Sequence, residues 1–289
     1  MDWGFLLIVS APLILAAVGE VVGQRGGVLN IGLEGMMLLG AFVGFYVAGK
    51  TNSLPIAFAA ATGVGLLLAL LSGTFTVKLG ADQVVVGTAV NFLALGATGL
   101  AFRRIYGQSG QLDQIPSLPR ILGLDPVVLA ALVLVPIAWW LIYRTKWGLA
   151  LRACGEYPKA VEAAGFSVVK VRILALAIGG ALAGLAGAHL ALGVAGSFAE
   201  GMTAGRGFLA IALVTFGRWQ PVWAALAALL LGFTQSLQYS MQGNAVFGVE
   251  IPSQLWLALP YVVALLVLVF VGSGTVTPNA LGKPYEKEA

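Results

Sequence analysis

Charge is scarce in this sequence. Of 289 residues only 10% are Asp, Glu, Lys or Arg, whereas 59% are hydrophobic and the mean hydropathy is +0.94. Soluble domains carry about 25% charged residues, so a soluble globular class is excluded. The single cysteine, Cys154, excludes an intramolecular disulfide and any CxxC metal or redox site. The single histidine, His189, excludes a paired-His zinc centre and reads as a neutral, hydrogen-bonded packing residue. No Gly-x-Ser-x-Gly elbow occurs, which gives an intramembrane hydrolase little to stand on. A basic leader is missing too: Asp2 stands there and no small-residue cleavage site follows, so residues 4–22 read as a retained span. Net charge is +4, but the basic residues sit at the ends of apolar runs, where membrane topology explains them without nucleic acid.

What the sequence has is length of apolar run. Stretches near 20 residues recur without the two-residue alternation of barrel strands, which predicts an all-α polytopic membrane protein. The expected spans are 4–22, 30–49, 54–77, 83–102, 126–143, 173–195, 207–217, 221–241 and 255–272, about eight to ten transmembrane helices in a single domain over residues 1–289. The run 207–217 is too short to cross alone, since a helix of this length covers about 16 Å of a core about 30 Å thick. Gly196, Gly201, Gly205 and Gly207 crowd its approach, so a broken or re-entrant element is expected there. Gly40 and Gly44 are four apart, as are Gly180 and Gly184, with Gly187 and Ala188 following. Such spacing predicts faces where helix backbones approach closely.

Two polar stretches interrupt the spans. Residues 144–172 hold eight charged residues, six of them basic, and within them Pro158 and Gly165 bracket KAVEAA. Pro suits the first helical position and Gly the turn just past the end, which predicts a short helix. About two turns of helix are unstable alone, so this segment must dock onto something. The other stretch, in the loop 103–125, is rich in Gly, Pro and Ser. With alternating spans and 144–172 in the cytoplasm, eleven of the 16 Lys and Arg residues lie inside, the N-terminus outside and the C-terminus inside.

One nucleotide-binding match fails on context. Gly44 to Thr51, GFYVAGKT, satisfies the P-loop pattern, but its middle is Phe45, Tyr46, Val47 and Ala48 at the end of an apolar helix. Lys50 reads instead as a residue snorkelling to the membrane surface. Polar residues within spans are more informative, because each needs a cavity or a partner at membrane depth. Asn30 and Glu34 fall four apart and so on one face at the start of the second span, Thr88 and Asn91 lie in the fourth, and Gln235 and Gln238 in the eighth. Each offers hydrogen bonds to a polar solute, or else joins helices. Glu20 is expected near the interface, paired with Arg25.

The string VLNIGLEGMM at Val28–Met37 resembles the permease subunits of ABC importers of the branched-chain amino acid and simple-sugar superfamily, in particular the nucleoside branch. LRACGEYPKAVEAAGFSVVKVR is similar to that family's cytoplasmic coupling segment, and GFLAIALVTFG at Gly207–Gly217 is a third likeness. Gln24-Arg25 stands where the family usually has Glu-Arg, and Tyr157 where Asn often precedes the proline.

The resemblance implies a nonenzymatic permease in the bacterial cytoplasmic (inner) membrane, alternating its opening to pass nucleosides. The implied partners are ABC ATPase subunits, a longer and different second permease subunit, an extracytoplasmic solute-binding protein and the lipid bilayer. This chain would bind no cofactor, metal or nucleic acid, ATP being hydrolysed by the separate subunit. It would use Gly155, Glu156, Pro158, Ala160, Glu162, Ala163 and Gly165 for ATPase coupling, with Glu156 and Glu162 as the partner contacts and the surrounding Arg and Lys residues as topology anchors. Asn30, Glu34, Thr88, Asn91, Gln235 and Gln238 remain the candidate substrate path. The alternatives are a permease for simple sugars or branched-chain amino acids and, from another class, a stand-alone ion-coupled transporter with Glu34 as its intramembrane acid. A structural or assembly protein would leave these polar positions without a purpose.

Overall fold

The computed structural model describes residues 3–107, 115–121, 123–241, 245–246, 249–250, 253–272 and 276–285. The chain forms α1 (Trp3–Arg25), α2 (Leu33–Thr51), α3 (Leu54–Gly73), α4 (Gln83–Tyr106), α5 (Pro126–Arg144), α6 (Lys146–Glu156), α7 (Pro158–Ala163), α8 (Val168–His189), α9 (Arg206–Phe216), α10 (Pro221–Met241) and α11 (Ser253–Gly272). π-helical turns extend α3 over Thr74–Lys78 and α8 over Leu190–Ala195, and Ala245–Val246 pairs with Val249–Glu250. Among the described residues seven helices are long and apolar enough to cross a bilayer, and two shorter apolar helices, Arg206–Phe216 and Gln254–Val269, accompany them. The protein is an all-α polytopic membrane protein.

Local chemistry explains where several helices begin. The Asp82 side chain accepts from the N–H groups of Val84 and Val85 at α4, and Thr145 and Ser167 do the same for Gly148 and Lys170 at α6 and α8. Each satisfies amides that a helix start leaves without an internal partner. The start of α2 has no such side-chain cap.

The core is built on α1, which packs against α5, α8, α9 and α10 and is the most completely buried of the long helices. A second seam joins α8 to α2 and α3 through small residues, as their spacing predicts. A Cβ on Gly40 would lie 2.4 Å from the Gly184 carbonyl oxygen, one on Gly65 2.2 Å from that of Gly180, and one on Gly187 1.8 Å from that of Met37. Only hydrogen fits there, so backbone meets backbone. In lipid, where apolar burial drives no association between helices, this contact supplies the packing. By contrast, α3 and α4 turn Leu67, Phe92 and Leu100 outward at 65%, 70% and 71% exposure.

The short ninth element is as broken as expected. Positive φ at Gly196, Gly201 and Gly205 turns the chain before α9, and positive φ at Arg218 and Trp219 turns it again into α10. Its far end meets α1: the Arg25 guanidinium donates to the Trp219 carbonyl at 2.6 Å and to the Tyr143 hydroxyl at 3.0 Å. Arg25, α6, α7, Arg218 and residues 276–285 thus gather at one end of the bundle. The last turn of α4 and the turn before α9 meet at the other, where Arg103 pairs with Glu200 at 2.7 Å. Residues 108–114 and 122 of the loop 103–125 lie outside the described residues, as does the Lys287 counted in the charge balance.

Candidate functional site

Three of the candidate polar residues, Asn30, Glu34 and Asn91, come together around the start of α2. Glu34, in its first turn, reaches α9: one side-chain oxygen accepts the Gly205 N–H at 2.8 Å and the other the Gly207 N–H at 2.6 Å. Gly205 has φ +82°, and a Cβ on Gly207 would meet the Glu34 Cα at 2.5 Å. The half-helix therefore presents bare amides to an acid side chain, the arrangement its dipole favours. Asn91 of α4 holds the same region from the opposite side, accepting from the Gly35 N–H at 2.8 Å and donating to the Ile31 carbonyl at 2.9 Å.

The expected pairing of Asn30 with Glu34 on one helical face is corrected. Asn30 lies in the turn before α2, which begins only at Leu33 because the segment between is tied to its neighbours. Its N–H donates to Glu20 at 3.1 Å, and its side chain donates to the Met36 sulfur at 3.4 Å. Nor does Glu20 pair with Arg25. Glu20 is buried at 1% exposure and accepts from Gln24 at 2.9 Å, and Gln24 accepts from the Trp219 indole at 2.8 Å. Arg25 instead uses the carbonyls at the end of α9.

The remaining candidates differ in what they have left to offer. The Thr88 hydroxyl donates to the Val84 carbonyl of its own helix at 2.7 Å. Gln235 and Gln238 are buried on α10, and the Gln235 side-chain oxygen has no hydrogen-bond partner among the described residues. A buried acceptor without a donor costs about 1–3 kcal/mol, which makes Gln235 the position with hydrogen-bonding capacity in reserve. The segment Gly44–Thr51 is continuous helix, without the loop a phosphate cradle requires.

At the other site, Pro158 opens α7 and Gly165, at φ +81°, follows it. α7 runs 158–163, six residues with only Val161 buried, and rests on α6 and α8. Ala160 and Ala163 face outward beside a groove of about 370 Å³ lined by Leu149, Ala153, Val161, Ala164 and Phe166 among others. Gly155 packs inward, where a Cβ would meet the Arg25 carbonyl oxygen at 2.3 Å.

The two acids expected as outward contacts are already engaged within the chain: Glu156 accepts from the Asn279 side chain at 3.0 Å, and Glu162 accepts from the Tyr285 hydroxyl. Arg172 corrects the reading of the basic residues as anchors. At 2% exposure, it donates to the carbonyls of Gly26 at 3.1 Å, Lys283 at 3.1 Å and Cys154 at 3.4 Å. Burial pushes the Cys154 thiol up to about 11, against the opposing influence of Arg172.

A buried pair at the opposite end was also missed. His189 is fully buried and its Nε2 lies 2.9 Å from the Asp125 carboxyl, whose other oxygen caps α5 by accepting from Val127 and Val128. Burial works to raise the Asp125 pKa, but the bonds to His189, Val128 and Val127 prevail and hold it below the ordinary 3.8.

The family model described as branched-chain amino acid transport system / permease component matches residues 4–272. The chain belongs to this permease family. The permease is similar to the guanosine ABC transporter permease protein NupQ of Bacillus subtilis, 37% identical over 97% of this chain and 95% of that one. It is also similar to the nucleoside ABC transporter permease protein NupC of Lactococcus lactis, at 34% identity over 98% and 95%. A putative glucose ABC transporter permease protein, TsgC13 of Haloferax volcanii, is 33% identical over 96% and 95%. No solved structure matches the permease.

Proposed function

We propose that this permease is the translocation subunit of an ATP-driven nucleoside importer of the bacterial inner membrane. The observation that carries the substrate class is its likeness to NupQ and NupC along almost the whole chain. In this reading the polypeptide catalyses no reaction and binds no nucleotide. Two ATPase subunits drive the importer, one of them docking on the segment 144–172, a second and longer permease completes the pore, and an extracytoplasmic binding protein delivers the solute. Closing of the ATPases pushes α7, and the pore alternates its opening across the membrane. A neutral polar solute suits a path whose free groups are amides. Gln235, whose side-chain oxygen has no partner among the described residues, and Gln238 on the same helix, α10, are the proposed contacts. Asn30, Asn91 and Thr88 border the path while holding its walls.

A stand-alone ion-coupled transporter needs an intramembrane acid free to bind an ion. Glu34, the acid expected for that role, has both oxygens on the amides of Gly205 and Gly207, which disfavours this reading. A sugar permease is the second reading, favoured by the likeness to TsgC13. The deciding experiment reconstitutes the permease with its partners in liposomes and measures ATP-dependent uptake of guanosine against glucose. Guanosine uptake that disappears in Gln235→Leu is expected; uptake of glucose alone favours the second reading. Accumulation by the permease by itself under an ion gradient refutes both.

A further inference from the structure

We infer that residues 279–285 are a strap that joins the coupling segment to the turn between α1 and α2, so that the surface an ATPase moves is α7 and the strap together. This rests on the coupling reading above. The strap makes contact along its length. Asn279 donates from its side chain to Glu156, the Ala280 N–H donates to the Gly155 carbonyl at 2.8 Å, and the Gly282 N–H donates to the Gly27 carbonyl at 3.2 Å. The Lys283 carbonyl accepts from the buried Arg172, and the Tyr285 hydroxyl donates to Glu162.

The strap therefore reaches both sides of one junction. On one side it holds the end of α6 and the body of α7; on the other it holds Gly27, where the chain turns toward α2. Gly27 has φ +84°, and a Cβ there would meet the Arg172 guanidinium at 2.8 Å and the Ala280 carbonyl oxygen at 3.1 Å. A guanidinium donating to three carbonyls from Gly26, Cys154 and Lys283 ties turn, coupling segment and strap at a single buried point. Because α7 is too short to hold its own shape, its orientation is set by what grips it. Three of those grips are α6, α8 and Tyr285.

A mechanical consequence follows. A push on α7 is passed through Glu162–Tyr285, Glu156–Asn279 and Gly282–Gly27 to the start of α2, whose Glu34 holds the half-helix α9. Glu156 and Glu162 serve this internal grip and leave docking to the outward apolar groove and to Ala160 and Ala163. Of a partner, the face then requires apolar complementarity more than basic residues seeking acids.

The test uses the assembled importer in liposomes, with ATPase retention, ATP hydrolysis and uptake measured separately. Truncation after Thr277 is expected to leave the ATPase bound and hydrolysing while uptake per ATP falls roughly tenfold, the scale of an ordinary coupling energy. Full uptake per ATP in the truncated chain overturns the strap. Should truncation prevent assembly, the double variant Asn279→Ala with Tyr285→Phe keeps the chain length and is expected to show the same uncoupling; unchanged uptake overturns the proposal there too. Ala163→Arg separates the two readings. Unchanged uptake in that variant sinks the coupling role of α7 itself, whereas loss there with normal uptake in both strap variants sinks only the strap.

Discussion

Glu34 holds α9 through two acceptor oxygens, and this makes a sharp prediction. Glutamine keeps one acceptor but turns an NH2 toward a backbone N–H, setting donor against donor. Glu34→Gln is therefore expected to cost stability on the order of 1–3 kcal/mol and to abolish uptake, close to the effect of Glu34→Ala. Thermal unfolding in detergent, with uptake alongside, checks this; a fully active Glu34→Gln protein rules the pin out. Asp125 makes a second one. A carboxyl held below its ordinary pKa contributes stability that is complete above the unfolded value and is lost as pH falls through the folded one. The affected window lies below about pH 4. Asp125→Asn, which keeps the helix cap, is expected to lower the midpoint at pH 7 by a few degrees and to remove the additional acid-induced loss below that window. The sequence displayed each of these side chains but not its partner. Glu34 meets Gly205 across 171 positions and Asp125 meets His189 across 64, separations at which no periodicity speaks. Asn30 falls outside α2 for a local reason: no capping residue marks the start of that helix, so the apolar run by itself points to a start three residues too early.

At the scale of elements, the glycine seam was readable because close packing in lipid demands small residues at helical spacing. Which glycines touch backbone and which are merely small was not, since that depends on the neighbouring helix. Gly184 and Gly63 separate the cases. A Cβ on Gly184 would lie 2.2 Å from the Ala61 carbonyl oxygen, whereas one on Gly63 meets nothing within 4 Å. Gly184→Ala is expected to destroy most of the folded protein, and Gly63→Ala to be neutral or to stabilise by up to about 1 kcal/mol, read as the monodisperse yield and melting temperature in detergent. The half-helix α9 was legible too, from a run too short to cross and the glycines crowding its start. The strap was not, because a polar tail of Asn, Lys and Tyr looks the same in sequence whether it is solvated or docked.

For the molecule as a whole, the gathering of Arg25, α7 and residues 276–285 at one end turns orientation into a labelling experiment. Cys154 provides a silent background, buried and with its thiol pushed up to about 11. The wild-type protein is expected to resist maleimide until unfolded. Against it, an impermeant thiol reagent on intact cells should label Lys50→Cys and spare Lys159→Cys until the membrane is opened; the reverse pattern would place the N-terminus inside. The outward faces of α3 and α4 expose Leu67, Phe92 and Leu100, an apolar surface of the kind a bilayer covers.

The enclosure of α1 bears on how such a molecule is made. This helix leaves the ribosome well before α8 and α10, whose side chains surround it in the finished bundle. During that interval it must wait in lipid. Its composition suits the wait, for it is the most apolar of the seven long helices although it ends as the most shielded from the bilayer. Its larger polar residues, Glu20, Gln24 and Arg25, lie in its last two turns, close to headgroup water until Asn30 and Trp219 arrive. The apolarity of α1 thus matches the environment of its insertion, and its small and polar residues match that of its final seat.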